Sequence, residues 1–145
     1  MKLVIQRVKN AKVDVDNKTV GQIDKGFLVL IGIKIGDTKE QADYLIKKVS
    51  NLRVFEDENG KMNLSLKDVG GKLLIVSQFT LYGNCNDGNR PSFIEAARPE
   101  EAIPLYEYFC NGCEKNGIEV QKGIFGADMK VQLLNDGPVT IIMER

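Results

Sequence analysis

The chain has 145 residues, 43% of them hydrophobic and 28% charged, the size and balance of a single domain spanning 1–145, which argues against both disorder and a membrane fold. Twenty basic and twenty acidic residues cancel, so the long-range field that draws sequence-independent binders onto nucleic acid is missing and any RNA contact must be local. The chain has no histidine, which excludes Ser-His-Asp and Cys-His mechanisms and the commonest zinc ligand, and leaves a carboxylate, a lysine, a cysteine or the substrate itself as general base.

The apolar run in Met1-Lys2-Leu3-Val4-Ile5 is too short for a signal-peptide core. Three cysteines, Cys85, Cys110 and Cys113, are an odd number that suits reduced thiols better than a secreted disulfide framework. A cytoplasmic location is therefore expected. Lys2 to Val8, then Lys12 to Asp16 and Thr19 to Asp24 around a turn at Asn17-Lys18, read as an antiparallel β start. Phe27 to Ile35 is almost continuously apolar, as suits a strand covered on both faces at the centre of a sheet.

Thr38 and Gln41 have the spacing of a capping box, and Ala42, Leu45, Ile46, Val49 and Leu52 follow at helical intervals. Val54-Phe55, the turn Asp57-Glu58-Asn59-Gly60 and Lys61-Met62-Asn63 predict a hairpin. Lys72 to Leu81 reads as a second apolar strand with a polar exit, and Tyr82 to Arg98 as a long loop of the kind that is usually functional or disordered.

A second helix is expected from about Pro99 to Asn116. Pro104 costs a hydrogen bond inside it and points to a regular start only near that residue. Val120-Gln121, Ala127 to Leu134 and Val139 to Met143 complete the chain as strands, the last two joined by the turn Asn135-Asp136-Gly137-Pro138. The fold class is thus α/β, a mixed and mostly antiparallel sheet with two principal helices. Cys110-Asn111-Gly112-Cys113 has metal or redox spacing, but on a helix without histidine a structural role is the better account.

Two segments combine polar groups with turn-forming backbone, Ser77-Gln78-Phe79-Thr80-Leu81 and Asn135-Asp136-Gly137-Pro138-Val139-Thr140. Taken alone, the first is more simply the polar exit of a core strand and the second an ordinary turn. Together they resemble the paired signatures of the D-aminoacyl-tRNA deacylase family. The likeness covers nearly the whole chain, through Ile5-Gln6-Arg7-Val8, Gly60-Lys61-Met62-Asn63-Leu64, Arg90-Pro91-Ser92-Phe93 and Ala127-Asp128-Met129.

This resemblance implies a homodimeric hydrolase of the ester between a D-amino acid, or glycine, and the 3′ end of tRNA. It implies no cofactor or metal and no membrane or DNA partner. Ser77, Gln78, Phe79 and Thr80 would form the catalytic wall, with main-chain N–H groups at Phe79 and Thr80 as oxyanion donors and the ribose 2′-hydroxyl assisting water. A cis Gly137-Pro138 bond would reach the partner's active site and select chirality, with Arg7, Met129 and Asn135 holding or lining that region. Arg90, Pro91, Ser92 and Phe93 would contribute pocket or tRNA contacts. The chain departs from many relatives at Asn86-Asp87-Gly88-Asn89, where an aspartate stands in place of a basic residue and cannot attract phosphate.

Overall fold

The computed structural model describes residues 1–86 and 88–145, so the aspartate at position 87 lies outside the described residues. The chain runs β1 (Lys2–Val15), β2 (Lys18–Ile23), β3 (Gly26–Gly32), α1 (Lys39–Ser50), β4 (Phe55–Glu56), β5 (Met62–Leu64), β6 (Lys72–Ser77), a 3-10 turn at Phe79–Tyr82, α2 (Pro99–Lys115), β7 (Val120–Lys122) and β8 (Lys130–Glu144). The main sheet has the order β2-β1-β3-β6-β7, with β8 on β1, and β4-β5 form a separate hairpin. β1 pairs antiparallel with β2, β3 and β8, while β6 is parallel to both β3 and β7.

β3 occupies the centre expected from its apolar run, with Phe27, Leu28, Val29 and Ile31 buried. Its side chains feed two cores, as alternation across a pleated strand requires. Phe27, Val29 and Ile31 join the helices and Leu3, Ile5, Leu73 and Ile75 on one face. Leu28 joins Val8, Val13, Ile23, Leu74 and Val76 on the other, where the long β1 carries the sheet round on itself.

The turn between β1 and β2 falls at Asp16-Asn17, one residue earlier than expected. Both take positive φ, 49° and 61°, which Asp and Asn tolerate better than other non-glycine residues and which matches the twist of a two-residue hairpin. The capping box at α1 forms as read: Glu40 N–H donates to Thr38 Oγ1 (3.2 Å), and Thr38 N–H donates to Gln41 Oε1 (2.8 Å).

Three expectations are corrected. α2 starts at Pro99, not near Pro104. Proline at the first position forfeits an N–H that has no helical partner anyway, and burial of Ala102, ahead of Pro104, pins the first turn to the same stripe as Tyr106, Phe109, Cys110 and Cys113. The strand expected to run to Leu81 ends at Ser77 and gives way to the 3-10 turn. The final two strands are one, because both halves pair with β1 and Asn135 to Pro138 form an irregularity in that ladder instead of a reversal.

Candidate active site

β6 is buried from Leu73 to Val76 between β3 and β7, and its last residue, Ser77, pairs with Ile31. Gln78 N–H still reaches the Ile31 carbonyl (2.8 Å) before the chain turns. Phe79 and Thr80 open the 3-10 turn, so their N–H groups have no acceptor within it. Leu81 N–H returns to the Gln78 carbonyl (3.3 Å) and Gly83 N–H to that of Thr80 (2.9 Å). The Gln78 side-chain amide donates to Thr80 Oγ1. An amide is not a base, and among the described residues no carboxylate or lysine is hydrogen-bonded to that hydroxyl, so nothing there activates it as a nucleophile.

The segment forms one wall of a pocket of about 260 Å³ whose opposite wall is Phe125, Asp128 and Met129. Gly123 permits this closeness, because a Cβ there would lie 2.6 Å from Met129 Sδ. Phe79 is 55% exposed, and its ring meets Phe93 edge-on at 5.2 Å. Phe93 is brought there by mutual backbone hydrogen bonds between Asn84 and Ser92 (2.8 and 2.9 Å), and the missing side chain of Gly83 leaves its ring room. Arg90 and Pro91 lie exposed in the same loop.

Arg7, Asn135, Gly137 and Pro138 gather elsewhere, at a corner of β8. Arg7 is 4% exposed. Its Nε donates to the Asp136 carbonyl (2.8 Å), its Nη1 to the Val54 carbonyl (2.6 Å), and its Nη2 lies 3.4 Å from Glu56 Oε1. A buried guanidinium satisfied by a carboxylate and two carbonyls holds the β4–β5 hairpin against the corner. Asn135 closes the corner from inside, accepting from Val139 N–H (2.8 Å) and donating to the Val139 carbonyl (3.2 Å). The Gly137-Pro138 bond is cis and Gly137 has φ +145°. A Cβ at Gly137 would lie 2.7 Å from Val139 Cγ2 and 3.0 Å from Val139 N, so the glycine is required here.

The two groups are well separated within one chain. Arg7 pairs with Phe27, and Ser77 with Ile31. Arg7 and Ser77 are therefore offset by four residues, roughly 14 Å, along the strands, and the Gly137 corner on β8 lies three inter-strand steps, β8-β1-β3-β6 and roughly 14 Å, across the sheet from Ser77. Of the residues expected from sequence, Ser77, Gln78, Phe79, Thr80, Met129 and Phe93 come together, while Arg7, Asn135, Gly137 and Pro138 form the second cluster. Sequence reading missed Phe125 as a wall of the pocket. The signal was Gly123, where a Cβ would crowd Met129, and Gly126, whose φ of +77° marks a tight turn.

No helix among the described residues is long and apolar enough to cross a membrane. The fold and pocket define an α/β domain with a small cleft whose polar lining is main chain, the Ser77 hydroxyl, the Gln78 amide and the Asp128 carboxylate. A solved structure described as a probable eukaryotic D-amino acid tRNA deacylase shares the fold, with TM-score 0.85 at 17% identity over 98% of this chain and 97% of that one. A second, described as c-Myc DNA Unwinding Element Binding Protein, gives TM-score 0.93 at 41% identity over 100% and 99% of the two chains.

The model of the family described as D-Tyr-tRNA(Tyr) deacylase matches residues 4–144, and the chain belongs to that family. It is 58% identical to a D-aminoacyl-tRNA deacylase of Thermosipho africanus (strain TCF52B), over 99% of this chain and 97% of the relative. It is 62% identical to one of Geotalea uraniireducens (strain Rf4), over 99% and 93%.

Proposed function

We propose that the protein is a cytoplasmic D-aminoacyl-tRNA deacylase that acts as a symmetric homodimer and also removes glycine. The observation that carries the mechanism is that the Phe79 and Thr80 N–H groups open the 3-10 turn without an acceptor inside it, at the edge of the pocket, while the Thr80 hydroxyl accepts from the Gln78 amide and has no base beside it. Water adds to the ester carbonyl carbon, and the negative charge that develops on the carbonyl oxygen is taken by those N–H groups. One such donor is worth about 2.7–4 kcal/mol. The ribose 2′-hydroxyl orients the water and shuttles its proton to the departing 3′-oxygen, so that free amino acid and tRNA result. A tethered hydroxyl of this kind benefits from effective molarities of roughly 10⁵–10⁸ M.

Chirality is read by Gly137 and Pro138 of a second copy. Their carbonyl oxygens accept hydrogen bonds from the substrate α-ammonium and fill the space an L side chain would need, while a D side chain or a glycine hydrogen is admitted. Two things support this arrangement: family membership, and the separation of corner and pocket within one chain, which a dimer would bridge. Met129 and Phe93 shape the pocket, with Ser92 and Pro91 setting the loop behind Phe93. Arg90, exposed beside Pro91, is the cation next to Ser92 and Phe93 that would meet tRNA phosphate.

Single-turnover deacylation of D- and L-tyrosyl-tRNA, on native ends and on ends carrying 2′-deoxyadenosine, tests the proposal. The D substrate should be cleaved and the L substrate spared. Removing the 2′-hydroxyl should cost about a hundredfold or more, and Thr80→Ala should stay within about tenfold of wild type, as expected of a hydroxyl that is not the nucleophile. A folded, substrate-binding Thr80→Ala protein with no turnover would overturn the mechanism. The name of the 41% identical relative, a DNA unwinding element binding protein, favours a second reading in which this chain binds nucleic acid; retention of nucleic acid with no release of free D-amino acid at catalytic protein concentration would support that alternative.

A further inference from the structure

We infer that Met62 of one protomer completes the pocket of the other by packing its thioether on the Phe79–Phe93 aromatic pair. The inference rests on the dimeric reading above, and it adds a residue and an element to it. The β4–β5 hairpin is fastened to the Gly137-Pro138 corner through Arg7, which bonds the Asp136 carbonyl, the Val54 carbonyl and Glu56. A Cβ on Gly137 would stand 3.2 Å from Arg7 Nη2, so corner and hairpin touch the same guanidinium. Met62 is the Cα partner of Glu56 across the hairpin, which makes their side chains neighbours.

The hairpin is built to hold Met62 still. Asp57 accepts from the N–H groups of Asn59 (2.9 Å) and Lys61 (3.0 Å) and from Asn63 Nδ2 (3.3 Å), and Arg53 Nε donates to the Asn63 carbonyl (2.7 Å). Yet Met62 is 53% exposed, an adaptable apolar side chain left half-covered on a fixed platform. Phe79 is 55% exposed at the pocket and is matched in character.

Within one chain the two lie at opposite ends of β3. Phe55 stacks on Phe27 (5.2 Å, 14°) and fixes the hairpin at the Gly26 end of β3. Phe79 follows Ser77, which pairs with Ile31, roughly 14 Å further along at about 3.4 Å per residue. Whatever carries Gly137-Pro138 into a second copy's pocket carries Met62 with it, and sulfur over an aromatic edge is a favourable contact.

The test uses the full chain labelled with ¹³C at its methionine methyl groups, with the Met62 resonance assigned by Met62→Leu. The methyl should lie upfield of the free-methionine position and return there in Phe79→Leu. In deacylation assays Met62→Ala should lower kcat/KM by about two- to tenfold, the range of one sulfur–aromatic contact. The loss should be equal for D-alanyl-, D-tyrosyl- and glycyl-tRNA, and Met62→Leu, which keeps the apolar bulk but not the sulfur, should recover only part of it. A Met62 methyl at the free position and indifferent to Phe79 overturns the inference. So does a loss that grows with the size of the aminoacyl side chain, which would place Met62 on the substrate. A ring-shifted Met62 in a protein that releases no amino acid would uphold the contact and sink the proposed activity instead.

Discussion

Arg7 is the residue on which the corner depends, and it illustrates what single residues reveal. Sequence marked it only by resemblance, since an arginine at the end of an apolar strand reads as a surface charge. The structure shows it 4% exposed with two carbonyls and a carboxylate around it. Lysine cannot reproduce that planar fork. Arg7→Lys should therefore destabilise the fold by about 2–4 kcal/mol, as expected for losing charged hydrogen bonds and leaving buried carbonyls unmet, and urea denaturation would read this directly. Arg7→Lys should also slow deacylation beyond any folding defect, because the hairpin and the corner share that side chain. Thr80, by contrast, attracts attention in the sequence as a hydroxyl at a strand end, and the structure ties it to Gln78, a contact no spacing rule could disclose.

Elements were legible where one local rule governed them. The capping box and the stripe Ala42, Leu45, Ile46 and Val49 specified α1, and Asn59-Gly60 specified the β4–β5 hairpin. Where tertiary pairing overrode local chemistry, the reading failed. Asn135-Asp136-Gly137-Pro138 is good turn sequence, but β1 is long enough to pair with both flanks, and the turn becomes a corner within β8.

α2 carries a prediction of its own. Burial pushes the Cys110 and Cys113 thiols up to about 12, so neither forms thiolate near neutrality. Cys85 is exposed and unpaired to any disulfide. One thiol per chain should react quickly with iodoacetamide at pH 8, and all three only on unfolding. Below the ordinary thiol value of 9.0 both folded and unfolded states keep these protons. Between there and about 12 the unfolded chain loses protons that the folded one retains, so stability should fall as pH rises through that window. A lower urea midpoint at pH 10 than at pH 7.5 is the expected outcome. Unchanged midpoints would show that the helix does not bury these groups as described.

At the scale of the whole molecule, the sheet sets the pocket and the Gly137 corner apart by four residues along its strands and three strands across them. Nothing in the linear sequence announces this, because register and strand order are long-range facts. Two lesions can therefore be placed in different chains. Phe79→Pro removes one N–H at the opening of the turn, where proline is sterically acceptable, together with the ring that meets Phe93, and should cost at least about 10²–10³ in kcat. Gly137→Ala forces a Cβ to within 3.0 Å of Val139 N at φ +145° and should be similarly damaged. In the proposed homodimer, either variant alone would be crippled. After mixing and exchange of subunits, the hybrid species would hold one centre made of two sound halves beside another made of two broken ones. Random exchange in a twofold assembly then returns about a quarter of the wild-type rate, a recovery that two independent monomers could never show.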